Sequence, residues 1–361
     1  MTNAPETAPL AAGPFAPATH GVALDQSFFS LDAQAGRPVV LLLVGSLPLA
    51  EVNEALAALQ ASAHAFGACG VDLVALVEWE TSATPPYLPS PAPDVRFVFS
   101  HSGVFAGWGF THRRPALVAL DRAGRIVGPP LIASGAAVAT HLAALSRLRR
   151  EAAFDDAAPA PVLIVPDVLS ASLCAQLIQH FEAGQPVFGG MAGRDAAGGA
   201  VHRIDAGKKH RYDLVLGPGD PYLNQVLAGV VSRCVPEIAK AFHIDIAHTD
   251  RLLLARYDDS GGYFKRHRDN SAPSVAFRQF ALSLNLNDDF EGGDVLFPEY
   301  NDRRYRPPAG SGVVFSCSLL HEAAPVTRGR RYCALTFLHD AAAQTRAMTI
   351  TRQGNESGLT R

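Results

Sequence analysis

The sequence lacks the features of a disulfide-stabilised, secreted or membrane-spanning protein. Its five cysteines are scattered, odd in number and form no Cys-x-x-Cys pair, which favours reduced thiols in a cytosol. No apolar run approaches the roughly 20 residues of a membrane span. The N-terminus has no charged segment followed by an apolar core, as a secretory signal would. We therefore expect a soluble, cytoplasmic protein with no membrane partner.

The sequence also lacks a strong excess of charge of either sign. Its formal net charge is −3 over 361 residues, so we expect no general attraction to nucleic acid. Two short basic segments, Lys208-Lys209-His210-Arg211 and Arg303-Arg304, are typical of solvated surface. The length suggests two domains, and 48% hydrophobic residues can build their cores.

The first domain is predicted over residues 21–150, after a flexible tail rich in Ala, Pro and Thr over residues 1–20. Continuous apolar runs predict strands that are buried on both faces, and residues at helical spacing predict the helices between them. The strands are Pro38–Gly45, Val71–Val77 and Ala116–Leu120, and the helices are Glu51–Phe66 and Ala136–Arg150. Their alternation is typical of an α/β layer domain.

These segments resemble the thioredoxin/peroxiredoxin family, in the words GRPVVLLLV, VDLVALV and PALVALDRAGRIVG. The resemblance implies a thioredoxin-like fold. After the first strand that family places a reactive cysteine at a helix N-terminus, whereas this chain has Gly45-Ser46-Leu47-Pro48. Cys69 precedes the next strand, where a buried, inert thiol is the favoured interpretation. We predict that the domain has lost redox activity and serves as a binding or dimerising module.

The second domain is predicted over residues 161–345, after a polar linker over residues 151–160 and before a polar tail over residues 346–361. A short strand and two helices come first, namely Val162–Val165, a helix capped by Ser170 that runs to Glu182, and Pro221–Phe242. Five strands follow, namely Leu252–Tyr257, Phe280–Leu286, Asp294–Pro298, Gly312–Ser316 and Tyr332–Leu338. Helices followed by many short strands predict an α+β domain, a double-stranded β-helix (jelly roll) packed on helices.

Three residues in this domain have the identity and order of a mononuclear iron(II) site: His267, Asp269 and His321. Two imidazoles and one carboxylate form the facial triad of non-heme iron oxygenases, which leaves coordination positions open. Residues two apart on an extended segment point the same way, so His267 and Asp269 can reach one ion. His321 follows the predicted strand Gly312–Ser316 and can return to the same end of a barrel.

Arg331 is the candidate ligand for an organic acid. It lies ten residues after His321 at the start of the strand Tyr332–Leu338, and its planar, permanently charged guanidinium suits a carboxylate. Successive strand residues alternate between faces. If Arg331 points inward, Arg330 therefore faces outward, and a register slip of one residue would exchange the two roles.

The segment from about Leu252 to Asp340 resembles the iron(II)/2-oxoglutarate dioxygenases of the prolyl 4-hydroxylase type. The resemblance rests on several words in the family's order: Gly261-Gly262-Tyr263-Phe264, His267-Arg268-Asp269, EGGDVLFP from Glu291, and His321-Glu322 through to Arg330-Arg331. It implies that His267, Asp269 and His321 bind iron and that Arg331 binds the distal carboxylate of 2-oxoglutarate. Tyr257 stands where the family often has a tyrosine bonded to that co-substrate, although a packing role is an open alternative.

The resemblance implies that the cofactors are Fe(II), 2-oxoglutarate and O₂, with ascorbate as an accessory reductant. The implied reaction hydroxylates an unactivated C–H bond of an amino acid, peptide or protein side chain and releases succinate and CO₂. One alternative is a non-catalytic iron- or oxoacid-binding sensor, and another is an accessory domain of a thiol-redox protein. The predicted partners are the substrate and, through the N-terminal domain, a second copy of the chain.

Two segments are candidates for substrate selection because such loops vary most. They are Gly189–Lys209, which is rich in glycine, and Asn270–Arg278. Arg194, Arg203, Lys208 and Arg278 are candidate partners of an acidic group, and solvation is the favoured interpretation for each.

Overall fold

A computed structural model describes residues 14–44, 49–78, 94–109, 114–155, 159–194 and 200–358. The chain divides into two compact units. One contains residues 1–158 together with 298–302, and the other contains residues 159–297 and 303–361. The division falls in the segment predicted as a linker, but helix α4, defined below, extends to Asp155 because its Ala-rich sequence continues without a helix breaker.

The N-terminal unit is built on a seven-stranded sheet of order β2-β1-β5-β4-β3-β6-β7. Its central strands β3, β4 and β5 are mutually parallel, and β6 runs antiparallel to β3. The strands are β1 (His20–Ala23), β2 (Phe28–Ser30), β3 (Val39–Leu43), β4 (Asp72–Glu78), β5 (Val95–Ser100), β6 (Ala116–Leu120) and β7 (Leu131–Ile132). The helices are α1 (Leu49–Ala61), α2 (Ala63–Ala68), α3 (Ser102–Gly107) and α4 (Gly135–Asp155).

Strand β3 is buried along its whole length because both faces of the sheet are covered. Val40 and Leu42 pack with residues of α1, α2 and α4, whereas Val39, Leu41 and Leu43 pack in a second cluster around Phe105 of α3. The predicted α/β layering is therefore observed. The position after β3 that lacks a cysteine, residues 45–48, lies outside the described residues.

The predicted N-terminal tail extends too far along the chain. Residues 1–13 lie outside the described residues, but the backbone of Pro14 and Ala16 bonds to Ile126 and Gly124 at the turn after β6. β1 then begins at His20. The composition of this segment hid its pairing because backbone hydrogen bonds do not depend on side-chain type.

The C-terminal unit begins with β8 (Val162–Val165) and α5 (Ala171–Ala183), and the Ser170 side chain caps α5 by accepting a hydrogen bond from Leu173 N. Further strands are β9 (Val187–Phe188), β10 (Met191–Arg194), β11 (Ala200–Arg203), β12 (Lys209–His210) and β13 (Tyr212–Val215). Next come α6 (Leu223–Gly229), α7 (Val235–Phe242), β14 (His248–Asp258), β15 (Tyr263–His267), β16 (Phe280–Asn285), β17 (Glu291–Gly292) and β18 (Val295–Leu296). The remaining elements are β19 (Gly312–Ser316), β20 (His321–Ala323), β21 (Val326–Arg328), β22 (Arg330–His339) and α8 (Ala341–Gly358).

Two sheets of this unit face each other. The larger has the order β8-β19-β16-β22-β14-β13-β9, and the smaller has the order β12-β15-β20-β18. One apolar cluster joins Leu253 and Ala255 of β14 to Ala323 of β20, and another joins Val313 of β19 to Val295 of β18. The predicted jelly roll is therefore present in this unit.

Helices cover the outer face of the larger sheet. Leu177 and Phe181 of α5 and Val226 of α6 pack with Leu254 of β14 and Leu282 of β16. The prediction of one continuous helix over Pro221–Phe242 was wrong in one respect, since a π-helical turn over Val230–Cys234 separates α6 from α7. Pro236 explains the interruption because its ring lacks an N–H and clashes with the preceding turn of an α-helix.

The predicted polar tail, residues 346–361, is largely helical, since α8 runs to Gly358. Its start is fixed by Asp340, whose Oδ1 accepts the backbone N–H of Ala343 at 2.6 Å. Polar composition does not oppose a helix that is capped and begins with alanines. Among the described helices of the chain, none combines the length and the apolar character that a membrane crossing requires.

Candidate metal and oxoacid site

The structure brings the three predicted metal ligands together at one end of the smaller sheet. His267 ends β15 and His321 begins β20, and these two residues are direct partners across the antiparallel strand pair. Asp269 lies between them, with Oδ1 at 3.4 Å from His267 Nε2 and Oδ2 at 3.3 Å from His321 Nε2. One ligand atom of each residue lies within 4.8 Å of the others.

Backbone carbonyls orient both imidazoles. His267 Nδ1 lies 2.8 Å from the carbonyl oxygen of Lys265, and His321 Nδ1 lies 3.0 Å from that of Leu319. Because a carbonyl only accepts, each Nδ1 must carry the proton and each Nε2 presents its lone pair to the site. The Phe264 ring stacks on His267 with centroids 3.5 Å apart and restrains it further.

The protonation states also suit a cation. Burial, followed by the nearby His321, lowers the pKa of His267 to about 4. Burial by itself raises the pKa of Asp269, but His321 and His267 more than offset it, so that pKa lies below its usual value. At neutral pH the site therefore offers a neutral His267 imidazole and a carboxylate. This donor set, two imidazoles and a carboxylate, fits a first-row metal with open positions.

Arg331 lies in the interior, as the inward interpretation of the Arg330-Arg331 pair predicts. It is 3% exposed, whereas the Arg330 side chain is 57% exposed. The Arg331 guanidinium donates from Nε to Asn285 Oδ1 and from Nη2 to Ser283 Oγ, both at 3.0 Å. Neither partner is charged, so the positive charge of Arg331 is available to a ligand.

Tyr257 is buried on β14, directly opposite Arg331 in the strand pairing. Its hydroxyl accepts a hydrogen bond from Arg211 Nη1 at 3.0 Å, and the Arg331 guanidinium lies 5.4 Å from the centre of its ring. The ring therefore packs in the interior, and its hydroxyl belongs to a polar network.

Sequence reasoning missed that network. Lys209 and Arg211, interpreted as solvated surface, are 1% and 5% exposed. Arg211 contacts Asp213 Oδ1 and Oδ2 at 2.6 and 3.0 Å, and Lys209 Nζ lies 3.0 Å from Asp213 Oδ2. The signal was present, because Lys209, Arg211 and Asp213 are spaced two apart and so share one face of an extended segment.

These groups line one cavity of about 150 Å³ inside the jelly roll. The lining includes the three predicted metal ligands and also Lys209, Arg211, Tyr257 and Arg331. Tyr257 connects to Arg211 through a hydrogen bond and to Arg331 through the strand pairing. Further lining residues are Arg251, Arg268, Arg278, Phe315 and Phe337. Of the residues proposed to select a substrate, Arg278 and Lys208 line the cavity, whereas the side chains of Arg194 and Arg203 lie outside the described part.

Comparisons with known proteins match the segment that contains the three predicted metal ligands and Arg331. The model of the 2OG-Fe(II) oxygenase superfamily matches residues 252–339. A PKHD-type hydroxylase of Janthinobacterium sp. (strain Marseille) is 26% identical over 191 residues, which is 50% of this chain and 80% of that protein. Human prolyl 3-hydroxylase 3 is 42% identical over 80 residues, covering 20% of this chain and 11% of its own.

Among solved structures, a viral collagen prolyl hydroxylase from Paramecium bursaria Chlorella virus-1 is 19% identical, with a TM-score of 0.38, over 50% of this chain and 96% of its own. The match of residues 252–339 and the PKHD-type relatives show a C-terminal 2OG-Fe(II) oxygenase domain of the prolyl hydroxylase and PKHD type. The protein is accordingly an Fe(II)- and 2-oxoglutarate-dependent dioxygenase, and its cofactors are Fe(II), 2-oxoglutarate and O₂.

Proposed function

We propose that the enzyme hydroxylates an unactivated C–H bond of an amino acid, peptide or protein side chain, releasing succinate and CO₂. In this proposal His267, Asp269 and His321 hold Fe(II), and Arg331 holds the distal carboxylate of 2-oxoglutarate. The main support for this proposal is that one cavity contains both the His-Asp-His cluster and a buried arginine whose partners are uncharged.

The chain's own contribution is to hold the reactants in place. Asn285 and Ser283 fix the Arg331 fork so that its remaining N–H groups can bind a carboxylate. Tyr257 adds a second donor, because its oxygen already accepts from Arg211 and its proton must point elsewhere. Fe(II), when bound, supplies the oxidative chemistry with O₂ and 2-oxoglutarate, and ascorbate would serve as accessory reductant.

Oxygen-dependent succinate formation with added Fe(II) and 2-oxoglutarate tests the reaction. His267→Ala and Asp269→Ala should lose iron binding and turnover, while the exposed Lys240→Gln should retain both. Full activity in both ligand variants would contradict the assignment. Stoichiometric iron without any 2-oxoglutarate consumption would instead favour an iron- and oxoacid-binding sensor.

Arg330 and Arg331 provide a matched pair for the co-substrate. Arg331→Lys should raise the KM for 2-oxoglutarate, because an ammonium cannot reproduce a planar fork that is held by two side chains. Arg330→Lys changes the same chemical group one residue away on the outer face and should leave that KM unchanged. Equal effects of the two changes would contradict the proposed role of Arg331.

For the N-terminal unit we propose a thioredoxin-like module without redox activity that binds a partner or a second copy of the chain. The order of its central strands supports the fold. Cys69 lies at the C-terminal end of α2, whereas the reactive thiols of that fold lie at a helix N-terminus. All five cysteines are free, which supports a reducing, cytoplasmic compartment. Peroxide consumption by the protein that is lost in Cys69→Ser would contradict the absence of redox activity.

A further inference from the structure

The cavity carries an excess of positive charge. Among the described residues that line it, seven are cationic, namely Lys208, Lys209, Arg211, Arg251, Arg268, Arg278 and Arg331, and two are carboxylates, Asp269 and Glu322. Asp213 and Asp250 bond to lining cations from behind and reduce this excess. Fe(II) and the 2-oxoglutarate dianion would cancel each other's charge. The excess is local, since the whole chain has a net charge of −3.

Two of these cations, Arg251 and Arg278, form the part of the cavity lining that we call the rim. Arg278 is buried, its Nε lies 2.7 Å from Asp250 Oδ2, and its guanidinium lies 3.7 Å from the centre of the Phe337 ring. Arg251 is exposed at the same rim. Within the described part of the chain, its guanidinium has no hydrogen bond or ion pair. Of these two cations, only Arg278 is paired with a carboxylate of the described residues.

A local irregularity of β14 accounts for this arrangement. The pairing of β14 with β22 shifts register between Thr249 and Leu252, which places Asp250 and Arg251 in a bulge. A bulge re-aims side chains and is common beside active sites. Here Arg251 lines the cavity while the adjacent Asp250 holds Arg278.

We propose that this rim binds a carboxylate of the substrate between Arg251 and Arg278, so that the enzyme acts on an acid, namely a free amino acid or an acidic residue of a peptide. Guanidinium forks bind carboxylates through paired, charge-assisted hydrogen bonds. Phe315 and Phe337 line the same cavity and offer apolar contact to the body of the substrate. This inference rests on the proposed hydroxylase function of the site.

The proposal assigns the two acids to different arginines. Arg331 lies opposite Tyr257 at one end of β14, and Arg251 lies six residues away towards the other end of that strand. At about 3.3 Å per residue the main-chain positions of Tyr257 and Arg251 are about 20 Å apart along the strand. In the proposal Arg331 binds the co-substrate, and Arg251 and Arg278 bind the substrate acid.

Matched acids and amides test the inference. Wild-type enzyme with Fe(II) and 2-oxoglutarate is incubated with free amino acids or their amides, and with short peptides that contain Asp or Glu or their Asn and Gln counterparts. Succinate formation and the gain of one oxygen by the added compound are measured. The acid of an active pair should half-saturate at a concentration about tenfold to a hundredfold lower than its amide, as for a hydrogen bond to a charged group. The two kinds of pair distinguish a free amino acid from a peptide side chain.

Variants of the rim residues test whether the preference for an acid arises there. Arg251→Gln should raise the half-saturating concentration of the acid towards that of the amide with little change in the maximal rate, and Arg251→Lys should restore part of the preference. Asp250→Asn combined with Arg278→Gln removes the second cation without leaving the half-buried Asp250 carboxylate unpaired, and it should also weaken the preference. Lys240→Gln is the surface control.

The inference is overturned if no acid stimulates turnover, if acid and amide of every pair are equivalent in the wild type, or if the preference survives both sets of rim variants. Succinate formation by the wild type without added substrate reports on the hydroxylase proposal by itself. If that activity is present and the acid preference is absent, only the rim assignment fails. If oxygen-dependent succinate formation is absent under every condition, both fail.

Discussion

At the scale of single residues, the direction of the hydroxyl proton decides what Tyr257 can do. The hydroxyl accepts from Arg211 Nη1 at 3.0 Å, and Arg211 is held in turn by both carboxylate oxygens of Asp213. A hydroxyl that accepts from a fixed guanidinium must donate its own proton in another direction. Arg211 is therefore a positioning residue for the Tyr257 donor.

Replacing Arg211 should weaken co-substrate binding through Tyr257. We expect Arg211→Met to raise the KM for 2-oxoglutarate by about tenfold, the effect of losing one hydrogen bond to a charged group. Tyr257→Phe should produce a similar increase, and the double variant should be no worse than the more affected single variant. Full additivity in this double-mutant cycle would show that Arg211 does not act through Tyr257.

Lys209 gives the molecule a dependence on alkaline pH. Burial, followed by the charge of Arg211, lowers its pKa from 10.5 to about 8. The unfolded chain therefore binds this proton more tightly than the folded chain between pH 8 and 10.5. The cost of burying the charged ammonium is fully present below pH 8 and is relieved as pH rises to 10.5.

The free energy of unfolding of the wild type should thus rise relative to that of Lys209→Met by on the order of 3 kcal/mol across this pH range. Urea denaturation of both proteins at several pH values measures the difference, in which the titration of other groups cancels. A difference that stays constant or shrinks with rising pH would contradict the assignment.

For single residues, the sequence predicts the candidate ligands better than it predicts the residues that position those ligands. The sequence reveals His267, Asp269 and His321 because their residue types match a metal site. It reveals Arg331 because successive strand residues point to opposite faces, so that only one of Arg330 and Arg331 can point inward. Lys209 and Arg211 bond to Asp213 close in sequence, but the role of Arg211 depends on Tyr257, 46 residues later. A basic segment is usually solvated, and only the tertiary fold buries this one.

Among the elements, the turn between β17 and β18 packs closely against Arg331. Gly293 has a φ of +67°, and a Cβ there would lie 3.0 Å from Arg331 Cδ and 3.0 Å from Val326 Cγ2. Gly261, in the turn between β14 and β15, also has a positive φ, +105°, but a Cβ there would meet nothing within 4 Å. Substitutions at the two glycines therefore distinguish the effect of backbone strain from the effect of side-chain crowding.

Gly261→Ala should destabilise the fold by about 1 kcal/mol, the cost of the left-handed backbone alone. Gly293→Ala should cost more, because Arg331 or Val326 must also move, and it should raise the KM for 2-oxoglutarate. Chemical denaturation and steady-state kinetics measure the two effects. Equal KM values in the two variants would argue that the Gly293 turn does not position Arg331.

Sequence patterns predicted the elements with strong periodicity or clear caps. The bounds of Val162–Val165, Ala116–Leu120 and Gly312–Ser316 were predicted correctly, as was the Ser170 cap. The π-helical turn at Val230–Cys234 was missed, because helical spacing of apolar residues continues through it and Pro236 sits inside the pattern. The position of Pro236 explains the interruption afterwards, but the apolar spacing alone does not predict a π-helical turn.

For the whole molecule, the two units differ in how far their sequences predict them. The C-terminal unit has chemical requirements that leave recognisable residues, such as His267 and Arg331. The N-terminal unit has a core of interchangeable aliphatic side chains, such as Val40 and Leu42, which predict layering but no activity. Cores of this kind tolerate many hydrophobic substitutions, so they carry little functional information.

The two hydrogen bonds that orient His267 and His321 affect how the protein behaves when no metal is bound. Because the backbone carbonyls of Lys265 and Leu319 orient both rings, we expect metal loading to be a binding reaction on an already folded protein. Protein treated with a chelator should keep its cooperative unfolding transition, and added Fe(II) should raise the Tm only by mass action, saturably and reversibly. Loss of the folded state on chelation, as in a zinc finger, would contradict this. A cell short of iron would then hold a reserve of intact, idle enzyme that becomes active when the metal returns.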